Sequence, residues 1–120
     1  CYDVRFPVWA RNVWGDDYDL ILVSANWPEA RVEMWDVLVA ARAVENQCYI
    51  VAANLVGDDG AGWHYNGHSV AYDTRLKELL GFADNEQGTR IADLSMPVLK
   101  HYREALPLWR DTDRKMVRME

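Results

Sequence analysis

The sequence is short of cysteine, of clustered basic residues and of long apolar runs, and each shortage excludes a class of protein. Cys1 and Cys48 are too few for a disulfide framework, and no histidine or further cysteine stands at metal-ligand spacing from them. The 13 basic residues are scattered among 19 acidic ones, so the net charge of −6 disfavours nucleic acid and anionic membranes as partners. No apolar stretch approaches the roughly 18 residues of a membrane-spanning helix. We therefore expect a globular protein of a reducing, cytoplasmic compartment.

The first half of the chain predicts a strand, a helix and a second strand. Residues 18–25 and 48–54 are nearly continuous aliphatic runs, which is typical of strands buried on both faces. Between them, residues 28–46 have the periodicity of a helix, beginning at a proline. The helical spacing places one stripe toward the core, so that we expect these residues to be buried: Met34, Leu38, Ala41 and Glu45.

The second half predicts short strands and one more helix. Residues 57–62 form a turn-rich loop, and residues 67–72 and 79–84 are typical of a hairpin. A third buried strand is expected at residues 88–94, followed by a helix that Ser95 caps. Alternating strands and helices of this kind indicate a layered α/β fold.

The first residue of the chain has the chemistry of a nucleophile. Cys1 is followed by backbone N–H donors and by the basic side chain of Arg5. A thiolate attacks carbonyl carbon readily, and a nearby cation favours the thiolate. A free cysteine is also a common small buried hydrophobe. Cys1 alone leaves both interpretations open.

Five ordered segments carry a resemblance that decides between these interpretations. They are CYDVRFP at residues 1–7, SANWP at 24–28, RAVENQ at 42–47, GHS at 67–69 and YRE at 102–104. In order and spacing they resemble the nitrilase superfamily of carbon-nitrogen hydrolases, and within it the bacterial ω-amidases. Several ordered motifs are far more specific than any one of them.

The resemblance implies an α/β fold that is half of a nitrilase-type four-layer α-β-β-α sandwich. Residues 1–120 would be the C-terminal part of a single carbon-nitrogen hydrolase domain, because the family's glutamate base and lysine precede the cysteine. The implied reaction is hydrolysis of a small-molecule amide through a cysteine thioester, releasing ammonia. The implied substrate is the ω-amide of a 2-oxo dicarboxylic acid, such as 2-oxoglutaramate. No metal or organic cofactor is implied.

The resemblance also implies roles near the cysteine. Cys1 would be the nucleophile, and the backbone amide of Tyr2 would stabilise the oxyanion. Arg5 has two interpretations: it pairs with a buried acid, or its planar fork binds a substrate carboxylate, as an arginine at this spacing does in related N-carbamoyl amino-acid hydrolases. Asn26 and Trp27 follow a buried strand, where ligands gather in α/β sheets, so we expect both to contact substrate. The alternative is that Trp27 covers the core.

Three other residues are of types that often take part in catalysis, but we expect them to be structural. Glu45 lies on the predicted buried stripe and would need a partner such as Arg42. His68, in the GHS segment, is expected to be a satisfied histidine near the site. Cys48, inside an apolar strand, is expected to be inert packing.

Six tryptophans in 120 residues are many for one small interior. Trp9, Trp14, Trp35 and Trp109 are not all expected to fit inside, and clustered exposed aromatic residues indicate an interface. Nitrilase-like proteins pair through helices equivalent to residues 6–12 and 32–46. The resemblance therefore implies a homodimer or a larger homo-oligomer.

Other functions compete with the amidase. An N-carbamoyl amino-acid hydrolase or a nitrilase of the same superfamily would use the same cysteine, although the contexts of Tyr2 and Trp27 favour an amidase. An N-terminal-nucleophile hydrolase would use the α-amine of Cys1 as its base. A fragment that only folds with a partner half would have no catalysis of its own.

Overall fold

A parallel β-α-β unit organises the fold in the computed structural model, which describes residues 1–114. Strand β1 (Leu20–Ala25) is followed by helix α1 (Val32–Asn46) and strand β2 (Tyr49–Asn54). The two strands pair in parallel from Leu20 opposite Tyr49 to Ala25 opposite Asn54. Their carboxyl ends therefore lie at the same edge of the sheet, as the aliphatic runs separated by a helix predicted.

Antiparallel strands complete the described sheet structure. Strands β5 (Val70–Tyr72) and β6 (Glu78–Gly81) extend the first sheet in the order β1-β2-β5-β6. The predicted hairpin is thus confirmed, with shorter strands. Strands β3 (Val56–Asp58) and β4 (His64–Asn66) form a second, two-stranded sheet. The turn-rich segment expected at 57–62 begins inside this hairpin and continues around its tip.

The predicted strand at residues 88–94 is wrong. This segment has no regular secondary structure, and Ile91 is 90% exposed. A β-rich pattern becomes a strand only where a neighbour pairs with its backbone, and no strand of residues 1–114 does so here. The helix that follows is confirmed: α2 (Met96–Ala105) is capped by Ser95, whose side chain accepts a hydrogen bond from the Val98 amide at 3.3 Å.

The face of α1 that packs on the sheet is only partly the predicted one, since Leu38 packs against the core as expected. Trp35, Val39 and Ala43 are fully buried there, whereas Met34 is exposed. The predicted stripe and the observed one both have helical spacing. Burial of the large indole of Trp35 determines which of the two faces the core. Glu45 is only partly buried, but it forms the predicted salt bridge with Arg42, which is buried.

The tryptophans divide between the core and the surface. Trp27 and Trp35 belong to the hydrophobic core, while Trp9 and Trp14 are each more than half exposed. The expectation that the interior does not hold all of them is confirmed. Neither helix in residues 1–114 is both long and apolar enough to cross a membrane.

Candidate functional site

Cys1 lies at the start of a short 3₁₀ turn, Tyr2–Arg5, which we call the N-terminal turn. Its carbonyl accepts a hydrogen bond from the Val4 amide at 3.2 Å, and the Cys1 residue is exposed. Val4 is buried in the core and its carbonyl accepts a 2.8 Å hydrogen bond from Nε of Arg42. The core and α1 thus fix the backbone that carries the thiol.

The geometry of the N-terminal turn suits an oxyanion. The first amides of any helical turn have no acceptor within that turn, so the Tyr2 N–H is one that a ligand can use. The Tyr2 ring packs edge-on against Phe6 at 5.2 Å between centroids.

A groove of about 380 Å³ lies beside Cys1. One wall is β1, an edge strand of the sheet within residues 1–114, from which Leu22 projects with 73% exposure. Arg42 also lines the groove and brings a buried guanidinium to it. The groove is therefore lined by the exposed Cys1, by apolar residues of β1 and by Arg42, whose guanidinium is paired with Glu45.

Arg5 stacks on Trp27. The Arg5 guanidinium carbon lies 4.2 Å from the centre of the indole, and Nη1 lies 3.9 Å from the Met34 sulfur. Within residues 1–114, no carboxylate lies at salt-bridge distance from Arg5, so the ion-pair interpretation has no partner there. A stacked guanidinium keeps its N–H edge free for a planar acceptor such as a carboxylate.

Trp27 is 2% exposed, so its indole is a core side chain whose one face carries Arg5. Its Nε1–H donates to the Arg31 carbonyl at 2.7 Å. Asn26, the residue before it, is exposed, and within residues 1–114 its side chain has no hydrogen-bond partner. The structure thus brings Arg5 and Trp27 together, whereas Asn26 is exposed and contributes no side-chain hydrogen bond within residues 1–114.

Asn54 positions this edge of the sheet, and sequence reasoning missed it. Its Oδ1 accepts from the Trp27 amide at 2.7 Å, while Nδ2 donates to the carbonyls of Trp27 at 2.9 Å and Gly67 at 2.8 Å. Asn54 ends β2 as Asn26 follows β1, so the argument that singled out Asn26 applied equally to Asn54.

His68 is a satisfied histidine, as predicted. Its Nδ1 lies 2.9 Å from an Asp36 oxygen, and its Nε2 contacts Asp84. Partial burial by itself lowers the pKa of His68, but the hydrogen bonds to Asp36 and Asp84 outweigh it and raise that pKa above its usual value.

The second cysteine has the inert character expected of it. Cys48 is fully buried, and burial raises the pKa of its thiol to about 12, so it stays protonated at neutral pH. Among residues 1–114, no three histidine, cysteine or acidic side chains are grouped so as to hold a metal ion.

Comparison with known proteins places the chain among hydrolases. The carbon-nitrogen hydrolase family model matches residues 1–104. Omega-amidase YafV of Escherichia coli K12 is 51% identical over 94% of this chain, and 2-oxoglutaramate amidase of Bacillus subtilis is 33% identical over 92% of it. The chain covers 43% and 42% of these relatives, which is less than half of their length.

A solved structure agrees with the sequence matches. The fold is similar to that of XC1258 from Xanthomonas campestris, a CN-hydrolase superfamily protein with an arsenic adduct in its active site. The TM-score is 0.87 and the identity 39%, over 94% of this chain and 44% of that one. The α/β fold and the resemblance to the nitrilase superfamily are thereby confirmed, and the chain belongs to the carbon-nitrogen hydrolase family.

Proposed function

We propose that the polypeptide carrying these residues hydrolyses amides with Cys1 as its nucleophile. The observation that carries this proposal is the exposed thiol of Cys1 at the start of a backbone turn, in a groove that a buried arginine lines. The thiolate adds to the amide carbonyl, the C–N bond breaks, and the nitrogen leaves as ammonia after taking a proton. Water then cleaves the thioester and restores the thiol.

The Tyr2 amide is the proposed oxyanion donor. Negative charge develops on the carbonyl oxygen as the thiolate adds, and a fixed N–H next to the nucleophile stabilises it. Because Arg42 and the buried Val4 hold the N-terminal turn, this donor is in place before the substrate arrives. Pre-organised donors of this kind lower the barrier without reorganising during the reaction.

The proposed substrate is the ω-amide of a 2-oxo dicarboxylic acid, of which 2-oxoglutaramate is the example. Such a molecule has a carboxylate at the end away from its amide. Arg5, stacked on Trp27 and without a carboxylate partner in residues 1–114, has a free fork to bind it. The names of the E. coli and B. subtilis relatives support this choice. We also assign a substrate contact to the exposed side-chain amide of Asn26.

The rest of the catalytic machinery is proposed to come from upstream sequence. We infer that residues 1–120 are the C-terminal part of one hydrolase domain, in which the glutamate base and the lysine precede Cys1. The share of each relative that the chain covers supports this, and so does the edge of β1 beside the cysteine, which no strand of residues 1–114 pairs. Natural proteins protect such edges, for example by covering them with other parts of the structure.

A homodimer or larger homo-oligomer, located in the cytoplasm, completes the proposal. Besides its buried face, α1 has an outward apolar face on which Met34 is 51% and Val37 67% exposed. Apolar residues at this spacing on the solvent side of a helix are typical of a surface that another subunit covers. The exposed Trp9 extends the apolar surface available on the N-terminal segment.

The test compares two cysteine variants of the full-length polypeptide. Cys1→Ala should abolish ammonia release from 2-oxoglutaramate, whereas Cys48→Ala should retain most of it, because the Cys48 thiol is buried and protonated. An N-carbamoyl amino acid and a nitrile, assayed in parallel, test the two other superfamily activities. Equal loss in both variants, or faster turnover of either alternative substrate, would contradict the proposal.

A further inference from the structure

His68 joins two carboxylates that belong to different parts of the fold. Asp36, on α1, lies 2.9 Å from Nδ1, and Asp84, in the segment after β6, contacts Nε2. A carboxylate only accepts hydrogen bonds, so both ring nitrogens must carry a proton for both contacts to form. The arrangement is therefore complete only when His68 is an imidazolium.

The surroundings of the ring favour its charged form. A cavity beside His68 is lined by Asp36 of α1, Tyr72 of β5, Glu78 of β6, and Glu86 and Arg90 of the segment that follows. Arg90 is paired with Glu86, so the charges of these two residues offset each other. The other charged residues of this lining, Asp36 and Glu78, are both acidic. These charges act in the same direction as the two hydrogen bonds.

A neutral ring has a different partner available. Asn66 of β4 is 2% exposed, and its Nδ2 lies 3.4 Å from Nε2 of His68 and 3.2 Å from an Asp84 oxygen. Once Nε2 loses its proton it becomes an acceptor, which repels Asp84 and suits the Asn66 amide. Asp36 keeps the Nδ1 proton in both states, so deprotonation removes only the contact between Nε2 and Asp84.

The backbone of His68 connects this pair of states to the proposed site. Its carbonyl accepts a 2.9 Å hydrogen bond from Nε1 of the fully buried Trp35. The φ of His68 is +60°, which residues with a Cβ rarely adopt, so its side-chain partners help to hold the backbone there. Trp35 packs on Trp27 at 5.7 Å between ring centroids, and Trp27 carries Arg5.

We propose that His68 is a positioning residue for the substrate pocket, whose protonated ring ties Asp84 to Asp36 and so fixes the Trp35–Trp27–Arg5 stack. It acts through Trp35 and does not touch the substrate. The inference rests on the proposed role of Arg5 as the carboxylate anchor. Its signature is an affinity for acidic amides that falls when His68 loses its proton.

The first experiment measures the protonation of the His68 ring and does not depend on catalysis. In the full-length polypeptide, an NMR titration should give His68 a pKa above its ordinary value of about 6.5, and Asp84→Asn should move that pKa back toward it. The indole N–H signal of Trp35 should shift with the same midpoint. His101→Gln, at an exposed histidine of α2, is the matched control that should change neither midpoint.

The second experiment measures KM and kcat against pH for 2-oxoglutaramate and for a neutral amide. The fold-change expected is a rise of about fivefold in KM for the acidic amide as pH passes the His68 midpoint, at the low end of measured coupling between sites. The kcat should change little across that range, and Asp84→Asn should move the inflection to lower pH. His68→Gln should give the high KM at every pH.

The two experiments fail in distinguishable ways. Absence of turnover would remove the proposed function, yet the Trp35 signal would still decide whether His68 controls the stack. A Trp35 signal that ignores the His68 titration would overturn the positioning role, even in an active enzyme. A pH profile of KM that is identical in the wild type and in folded Asp84→Asn protein would also overturn the positioning role.

Discussion

Removing the side chain of Asn54 should loosen the edge of the sheet that carries Trp27. The Asn54 amide makes three hydrogen bonds to backbone groups, two with Trp27 and one with Gly67, at 2.7 to 2.9 Å. These bonds join the segment after β1 to the turn after β4. Asn54→Ala would leave one N–H and two carbonyls without that partner.

The magnitude follows from the number of bonds and their exposure. A net hydrogen bond contributes about 1 kcal/mol to folding, so three give about 3 kcal/mol. Asn54 is only partly buried, and water can replace part of the loss. We therefore expect the free energy of unfolding to fall by roughly 2 kcal/mol.

Urea unfolding of the full-length polypeptide measures this change, with the fluorescence of the buried tryptophans as the signal. Asn54→Asp should be no better than Asn54→Ala, because a carboxylate cannot donate to the carbonyls of Trp27 and Gly67. Asn26→Ala, one residue before Trp27 and exposed, is the control and should stay within about 0.5 kcal/mol of wild type. Stability of Asn54→Asp equal to wild type would refute the reasoning, since it would show that shape alone matters.

Two further changes test Arg5 and Glu45. Arg5→Lys should raise KM about tenfold for an acidic amide and much less for a neutral one, because a point charge replaces a two-pronged donor; a loss of folded protein instead would make Arg5 structural. Glu45→Gln should lower stability by about 1 kcal/mol, because Arg42 is buried while Glu45 is partly open to solvent, and should leave the pH–rate profile unchanged. A rate that collapses in stable Glu45→Gln protein would give Glu45 a catalytic role.

The elements that depend on local sequence were predicted well. The two aliphatic runs became the parallel strands β1 and β2, and Ser95 caps α2 through its own side chain. Residues 88–94 have a β-rich pattern too, but a strand needs a partner, and pairing is decided by distant parts of the chain. The buried face of α1 was predicted only in part for a related reason: apolar residues stand on both sides of the helix, so periodicity alone does not distinguish the core face from the outer face.

The residues of the candidate site could be singled out from the sequence only where they are close together in the chain. Cys1, Tyr2 and Arg5 share one turn, and the resemblance named them together. The contacts of His68 with Asp36 and of Asn54 with Trp27 join residues about thirty positions apart, so no spacing rule indicates them. For Asn54 a usable signal existed, namely a polar residue at the carboxyl end of a buried strand.

The two core tryptophans show why the interior and the candidate site are one structure. A buried indole needs an acceptor for its N–H, and here both acceptors are backbone carbonyls of connecting segments: Trp27 donates to Arg31, and Trp35 donates to His68. Burial of these rings therefore fixes two segments along with the core. Because Arg5 lies on the outer face of Trp27, the position of a proposed substrate anchor depends on core packing. A core substitution such as Trp35→Phe, which keeps an aromatic ring and removes the N–H, is thus expected to disturb the segment at His68 before it unfolds the protein.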